Sequence, residues 1–325
     1  MPDTSSTKDQ VANLLAAKND WVSGEKISDV LGISRAAVAK HVNALRREGF
    51  LIDAVSKRGY FLKIAPDPID PKKIKAGLRS KIIGRGECIW LPETSSTNQE
   101  AVVRAVDGLA EGAVILSDRQ LTGRGRRGRS WFSPPRSLCF SVLLRPAWPA
   151  ARLPWLMIAG AAAVHRLVVE SAGLPAAIKW PNDVLVNGRK MAGVLVEAGL
   201  SAGEVDWAVV GIGVNINTTA EEFPEDLAGR VTSLLVEGGR VFDRNKLYAG
   251  LLNNFDEFYR LLLAGRENIL NDYWREASGL VGREMKIIAS EGRVKGRAMG
   301  LNKDGHLLVT TADGRELLLE SGDCQ

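Results

Sequence analysis

The stretch DVLVNGRKMAGVLV, residues 183–196, constrains the fold of this chain more than any other. Asn187-Gly188 between two apolar runs is the strongest short signal for a two-residue β-hairpin, because both central positions need the positive φ that Asn and Gly tolerate. In that register Val186 faces Arg189, Leu185 faces Lys190 and Asp183 faces Ala192. Asp183 and Lys190 then share one sheet face as diagonal neighbours, roughly 7 to 8 Å apart at their Cα atoms. A lysine set between VLV and MAGVLV is costly to bury without an anion, so Lys190 is either an edge residue or a ligand contact.

Around this hairpin the chain mixes strands and helices without a regular βαβ beat. CIWLPETSSTNQEAVVRAV reads as a strand followed by a Ser/Thr/Asn cluster that caps a helix beginning near Asn98. GAVILSDRQ, SLCFSVLLRP and WAVVGIGVNIN read as further strands, and residues 154–171 and 245–275 as helices. This is an α+β domain with a largely antiparallel sheet, expected over residues 66–275. Beyond it, EMKIIA, RVKGRAMGLN, HLLVTT and ELLLE are separated by EG, KDG and ADG turns, the pattern of a small β-barrel or sheet over residues 276–325. With 325 residues the chain exceeds the usual size of one core, so two or three domains are expected.

Residues 1–65 are different. They carry ten Lys/Arg against seven Asp/Glu, most of the overall net charge of +5. SGEKISDVLGISRAAVAKHVNALRREGF has the layout of a helix-turn-helix: Ile27, Val30 and Leu31 mark a short amphipathic helix stopped by Gly32. Ser34 caps a second helix with Val38, Val42 and Leu45 as its buried stripe, ended by Gly49. Ser34, Arg35, Ala36 and Lys40 then lie on its exposed N-terminal half, where small and basic side chains suit a major groove. LIDAVSKRGYFLKI follows as two strands about a Lys57-Arg58-Gly59 turn, similar to the wing of a winged helix. The rival reading is a helical protein-interaction module with a basic face. PDPIDP at 66–71 is the expected linker.

The segment GRGRRGRSW, residues 123–131, spells G-x-G-x-x-G. A dinucleotide fingerprint requires a helix after the glycines and an acidic residue ~20 positions on. Here Pro134, Pro135 and a strand follow, and no Asp or Glu occurs from Arg119 to Val169. No Lys-Ser or Lys-Thr closes a phosphate loop either. Glycines interleaved with Arg124, Arg126, Arg127 and Arg129 still suit an anion clamp for phosphate or carboxylate, against the alternative of a solvated basic loop. Four like charges in such a turn are expected to order on ligand binding.

Other chemistry is thinly represented. Cys88, Cys139 and Cys324, like His41, His165 and His306, are scattered without metal-ligand or triad spacing. The longest uncharged apolar run, Leu153 to Val164, is shorter than a membrane span, and the N-terminus has no apolar leader, so a cytoplasmic protein is expected.

TSSTNQEA, DRQLTGRGRRGRSWFSP, KWPNDVLVNGRKMAGVLVE and VVGIGVNIN occur in the order and spacing of biotin-protein ligases. With the N-terminal helix-turn-helix, the whole chain resembles the bifunctional biotin-protein ligase and biotin-operon repressor family. The resemblance implies a winged helix-turn-helix, a mixed catalytic domain and an SH3-like C-terminal barrel. It also implies a reaction in which biotin and ATP give biotinyl-adenylate, whose biotinyl group passes to a lysine of a carboxyl-carrier protein. Ser96, Thr97, Asn98 and Gln120 are then expected near the biotin head group. Arg124, Gly125 and Arg126 are expected at its carboxylate and the adenylate phosphate, and Lys190 at their junction. Asn182 and Asp183 fall on the nucleotide or Mg²⁺ side, and Asn215 in a supporting place. AGVLV and VGIGV are expected to line an otherwise apolar pocket. The resemblance further implies operator DNA as a partner and a homodimer favoured by bound adenylate. Leu121-Thr122 departs from the small residues often found before the loop, and the chain stops at SGDCQ, so a short last strand is expected. Two rivals stand beside it: a lipoate or octanoate ligase, and a transcription factor that senses an effector without catalysis.

Overall fold

The computed structural model describes residues 6–18, 20–289, 292–320 and 322–324. The chain divides into two compact units, residues 1–68 and 69–325, with the boundary inside the proline-rich segment.

The first unit opens with a helix for which the sequence analysis had no place, α1 (Thr7–Ala16). Ser6 and Asp9 close it in a capping box, and it buries Val11 and Leu15. Ser23 caps α2 (Gly24–Leu31), which Gly32 ends at φ 62°, and Ser34 caps α3 (Arg35–Arg47). Val38, Val42 and Leu45 form the buried stripe as expected, packed on Val11, Leu15, Val22 and Ile27. Val30 departs from expectation. It is 58% exposed, because the inward line of α2 runs through Ile27 and Leu31 and leaves position i+3 on the outer edge. Strands β1 (Leu51–Val55) and β2 (Gly59–Ile64) pair antiparallel as the wing. Gly59 is needed at its base: φ is +102° and a Cβ there would overlap the Val22 carbonyl, while Tyr60 exchanges two backbone bonds with Val22 (2.8 and 2.9 Å).

In the second unit, α4 (Pro71–Ala76), β3 (Cys88–Thr94), α5 (Thr97–Val106), β4 (Val114–Gln120) and β5 (Leu138–Leu144) lead into a long apolar helix, α6 (Pro154–Leu167). Then come β6 (Ala176–Lys179), β7 (Asp183–Val186), β8 (Arg189–Ser201), β9 (Glu204–Val214), α7 (Leu234–Gly238), α8 (Arg244–Leu263) and α9 (Glu267–Ser278). The seven strands form one sheet in the order β3-β4-β5-β9-β8-β7-β6, and only β3 and β4 run parallel. The expected antiparallel α+β class is correct. Residues 150–172 are long and apolar enough to cross a membrane by length and composition, yet α6 is the core helix, burying Trp155, Leu156, Ile158 and Ala159 to Val164.

Strand periodicity decides where a site can form. Along β9, Val210, Ile212 and Val214 join the large core with α6 and α8, whereas Val209 packs with Ala101 and Ala105 of α5 on the opposite face. Gly211 and Gly213 share that opposite face, so β9 presents a bare backbone beside the start of α5.

The tail forms a second antiparallel sheet from β10 (Glu284–Ala289), β11 (Gly292–Leu301), β12 (Leu307–Thr311), β13 (Glu316–Leu319) and a short β14 (Gly322–Cys324), in the order β13-β12-β11-β10-β14. Its apolar side, including Met285, Ile287, Leu307 and Val309, joins the core that α6 and α8 build, and the Trp155 indole N–H donates to the Lys303 carbonyl (2.9 Å). Residues 276–325 thus make their own sheet but share a core with residues 69–275.

Candidate active site

The bare backbone of β8 and β9 is occupied by two side chains. A Cβ at Gly211 would overlap Asn98 Oδ1, and one at Gly213 would lie 2.5 Å from the Trp131 ring; Gly193 of β8 also lies under Trp131, where a Cβ would come within 3.2 Å. The alternating glycines of VGIGV therefore let Asn98 and Trp131 lie against the sheet. Asn98 is oriented at both ends: its Nδ2 donates to Glu197 Oε2 (2.7 Å), and its Oδ1 accepts from the Ser141 hydroxyl (2.6 Å). The expectation that Ser/Thr/Asn side chains cap α5 is not met, since Ser96 makes no side-chain cap bond. Gln120 does this instead from the end of β4, its Oε1 accepting from the Thr97 N–H (2.8 Å) and hydroxyl (3.1 Å). The chain turns at Ser96 because β3 and β4 end side by side there, bringing Ser96, Thr97, Asn98 and Gln120 together.

The arginine segment closes one wall. Gly125 N–H donates to Arg129 O (2.7 Å) and Trp131 N–H to Gly123 O (2.8 Å), so the loop folds back on itself. Arg127 and Gly128 take φ of 56° and 72° at its tip. The loop leads on to β5 with no α-helix between them, so it is not a dinucleotide turn. Arg126 Nη1 donates to Asn182 Oδ1 (3.0 Å), and Arg124 lies 3.9 Å from Glu197 Oε1. The loop, without an acidic neighbour in sequence, thus finds one across the sheet on β8.

The hairpin supplies the other wall. Asn187 and Gly188 adopt positive φ (50° and 75°), as the sequence predicts. Val186 faces Arg189 and Leu185 faces Lys190, but the register then slips and Asp183 faces Gly193 rather than Ala192. Met191 is the extra residue of this bulge, fully buried. Asp183 and Lys190 keep a common face and form an ion pair (Nζ–Oδ1 2.8 Å), with Lys190 Nζ 5.5 Å from the Trp131 ring centroid. Asn182 fastens the end of the hairpin to β8, its Nδ2 donating to Val194 O (2.9 Å), which leaves Oδ1 for Arg126.

One cleft is therefore lined by Ser96, Thr97, Asn98, Gln120, Arg124, Gly125, Arg126, Asn182, Asp183 and Lys190. Asn215 does not line it. It is 3% exposed behind the hairpin, donating from Nδ2 to Thr232 O (3.0 Å). Sequence reasoning missed Trp131, Ser141 and Glu197. Glu197 was legible, since period two from Gly193 puts Leu195 and Glu197 on the cleft face, but nothing in the sequence indicates that Trp131 would lie across strands 60 to 80 residues away.

In the first unit Ser34, Arg35, Ala36 and Lys40 are all exposed at the start of α3. The Ser34 hydroxyl accepts the Ala37 N–H (3.1 Å), and Arg35 pairs with Glu25 (2.7 Å). On the wing, the Arg58 guanidinium lies over the Trp21 ring, 4.7 Å from its centroid.

Among the described residues no group of three or more His, Cys, Asp or Glu is placed to hold a metal ion. His165 packs on Tyr273, and burial lowers its pKa below the usual histidine value. Cys88 and Cys139 are free thiols, the latter pushed up to about 11 by burial; the side chain of Cys324 lies outside the described residues.

Residues 90–215 match the model of the biotin/lipoate A/B protein ligase family, and residues 7–61 match an HTH domain. The chain is 34% identical over 308 residues to the bifunctional ligase/repressor BirA of Bacillus subtilis, covering 94% of each chain. To the protein of the same name from Escherichia coli it is 33% identical, covering 91% of this chain and 90% of the other. Among solved structures, the biotin protein ligase from Aquifex aeolicus in complex with biotin and ATP matches with a TM-score of 0.63 at 30% identity, over 74% of this chain and 97% of that one.

Proposed function

Since this chain belongs to the family of bifunctional biotin ligases and repressors, we propose that the cleft between the arginine loop and Lys190 is where it joins biotin to ATP. The protein is a biotin-protein ligase that forms biotinyl-5′-adenylate and transfers biotin to a carrier lysine, and a DNA-binding repressor. The observation that carries the assignment of the site is its polarity. Its lining combines neutral amides and hydroxyls (Asn98, Gln120, Thr97) with arginines and a lysine, which suits a substrate with an uncharged hydrogen-bonding head and an anionic tail.

In the first step a biotin carboxylate oxygen attacks the α-phosphorus of ATP and pyrophosphate leaves. Both reactants are anions, so the protein's task is positioning and charge stabilisation, with no enzyme nucleophile. Arg124, Gly125 and Arg126 hold the carboxylate and then the adenylate phosphate, and Lys190 meets the negative charge that grows on the α-phosphoryl oxygens. In the second step the carrier lysine amine attacks the acyl carbon and AMP leaves. A Mg²⁺ held mainly by substrate phosphates would neutralise phosphate charge, with the Asp183 carboxylate as its protein oxygen and Asn182, whose Oδ1 accepts from Arg126, on the same side. The second partner is operator DNA, contacted through Ser34, Arg35, Ala36 and Lys40, with a homodimer favoured by adenylate matching a two-fold operator. With ATP, carrier and DNA as partners, the protein acts in the cytoplasm.

ATP–pyrophosphate exchange with biotin, lipoate or no acid tests this reading. Biotin-dependent exchange in the wild type and its loss in Lys190→Ala are expected; exchange with lipoate alone would move the protein to the other branch of its family.

A further inference from the structure

A carboxylate that does not line the cleft holds residues next to Lys190. The Lys190 backbone is bonded on both sides by the segment that follows the acidic turn at residues 220–226. The Lys190 N–H donates to Arg230 O, and the Thr232 N–H donates to Lys190 O, each at 2.9 Å. This strap and the hairpin turn meet at one side chain, Glu237 of α7, which is 4% exposed. Its Oε1 accepts from Arg189 Nη2 (2.7 Å) and the Thr232 hydroxyl (2.6 Å), and its Oε2 from Asn187 Nδ2 (2.7 Å). A single carboxylate thus clasps Asn187 and Arg189, which precede Lys190 in the hairpin, and Thr232 of the strap beside it.

We infer that Glu237 is a positioning residue for adenylate formation, setting where the Lys190 ammonium stands relative to the reacting phosphorus. The inference rests on the assignment of Lys190 to that step. Stability alone does not call for a buried charge here, since an apolar replacement of similar volume often serves as well. What an apolar side chain lacks is direction, and Glu237 takes three donors from two segments, adding side-chain ties to the two backbone bonds that join them at Lys190. α7 has only five residues, so the clasp, more than the helix, sets the geometry. Displacing a reacting group by about 1 Å can cost ~10²-fold in rate.

Biotin-dependent pyrophosphate exchange in Glu237→Gln tests this, because the amide keeps the shape but turns an NH₂ toward existing donors. Its kcat is expected to fall about tenfold with the biotin KM within about twofold, and Glu237→Asp to recover part of the loss. In a Lys190→Ala background the same change is expected to cost less than about twofold, since its effect passes through the missing ammonium. Amide hydrogen exchange gives a readout independent of residual activity: the Lys190 and Thr232 amides are expected to exchange about tenfold faster in Glu237→Gln, while Val210 and Ile212 of β9 stay unchanged. Equal losses in both backgrounds, or uniform acceleration of all four amides, would overturn the inference and leave the role of Lys190 standing. Undiminished pyrophosphate exchange in Lys190→Ala alone would remove that role, and the inference with it.

Discussion

The two functional regions are built in opposite ways. The residues proposed to meet DNA, Ser34, Arg35, Ala36 and Lys40, occupy less than two turns of one helix, are exposed, and need only a serine cap and a buried stripe beneath them. The cleft draws on α5, the arginine loop and strands β4 and β7 to β9, and its side chains hold one another: Gln120 holds Thr97, Glu197 and Ser141 hold Asn98, and Asn182 holds Arg126. A surface on one element can change residue by residue. A cleft assembled from six segments answers as a unit, so substitutions in it should combine non-additively.

The largest effect expected on that contrast is Lys190→Ala, with pyrophosphate exchange reduced ~10²- to 10³-fold, comparable to loss of one transition-state donor. DNA binding without ligand, measured by fluorescence anisotropy, should be unaltered. Gly211→Ala comes next. The new Cβ must displace Asn98, so biotin KM should rise at least about tenfold, with ~1 to 3 kcal/mol of destabilisation from overpacking. An unchanged KM would show that Asn98 is not part of the biotin site. On the other surface, Lys40→Ala should weaken operator and non-operator DNA alike and lower the slope of log K against log salt by about 1, with pyrophosphate exchange intact.

A smaller effect separates the units by pH. Burial lowers the pKa of His165, so the unfolded chain binds the proton more tightly than the folded one. The resulting stability is fully present above the unfolded value of about 6.5 and is lost as pH falls through the folded value. Denaturation of wild type against His165→Gln between pH 7.5 and 5 should show a shallower acid decline in the variant, confined to the unit of residues 69–325. The smallest expected change is in the arginine loop. Amide exchange over residues 121–131 should slow when adenylate binds, and identical protection with and without it would leave the loop preformed.

How far each region was legible follows from the same contrast. α3, its cap and its stripe were readable because the information lies within four residues of where it acts. Val30 was misjudged because its apolar character says nothing about whether α2 turns that side inward, and α1 was passed over in a segment read only for the absence of a leader. In the cleft, the residue types were readable but their partners were not. The pairing of Asp183 with Gly193 depends on a bulge at Met191, and the service of Glu197 to Asn98 and Arg124 depends on β8 lying beside β9 and below α5.

What the sequence by itself determined is therefore local: the Asn-Gly turn, the capped helix α3, and the failure of GRGRRGRSW as a dinucleotide turn. Tertiary structure alone decided that Trp131 lies across Gly193 and Gly213, that Gln120 replaces Ser96 at the start of α5, and that Glu237 joins Arg189 to Thr232. The reason is one of range. Backbone preferences and periodicities act over a few residues, whereas these contacts join segments 20 to 80 residues apart, brought together only once the strand order and register of one sheet are set.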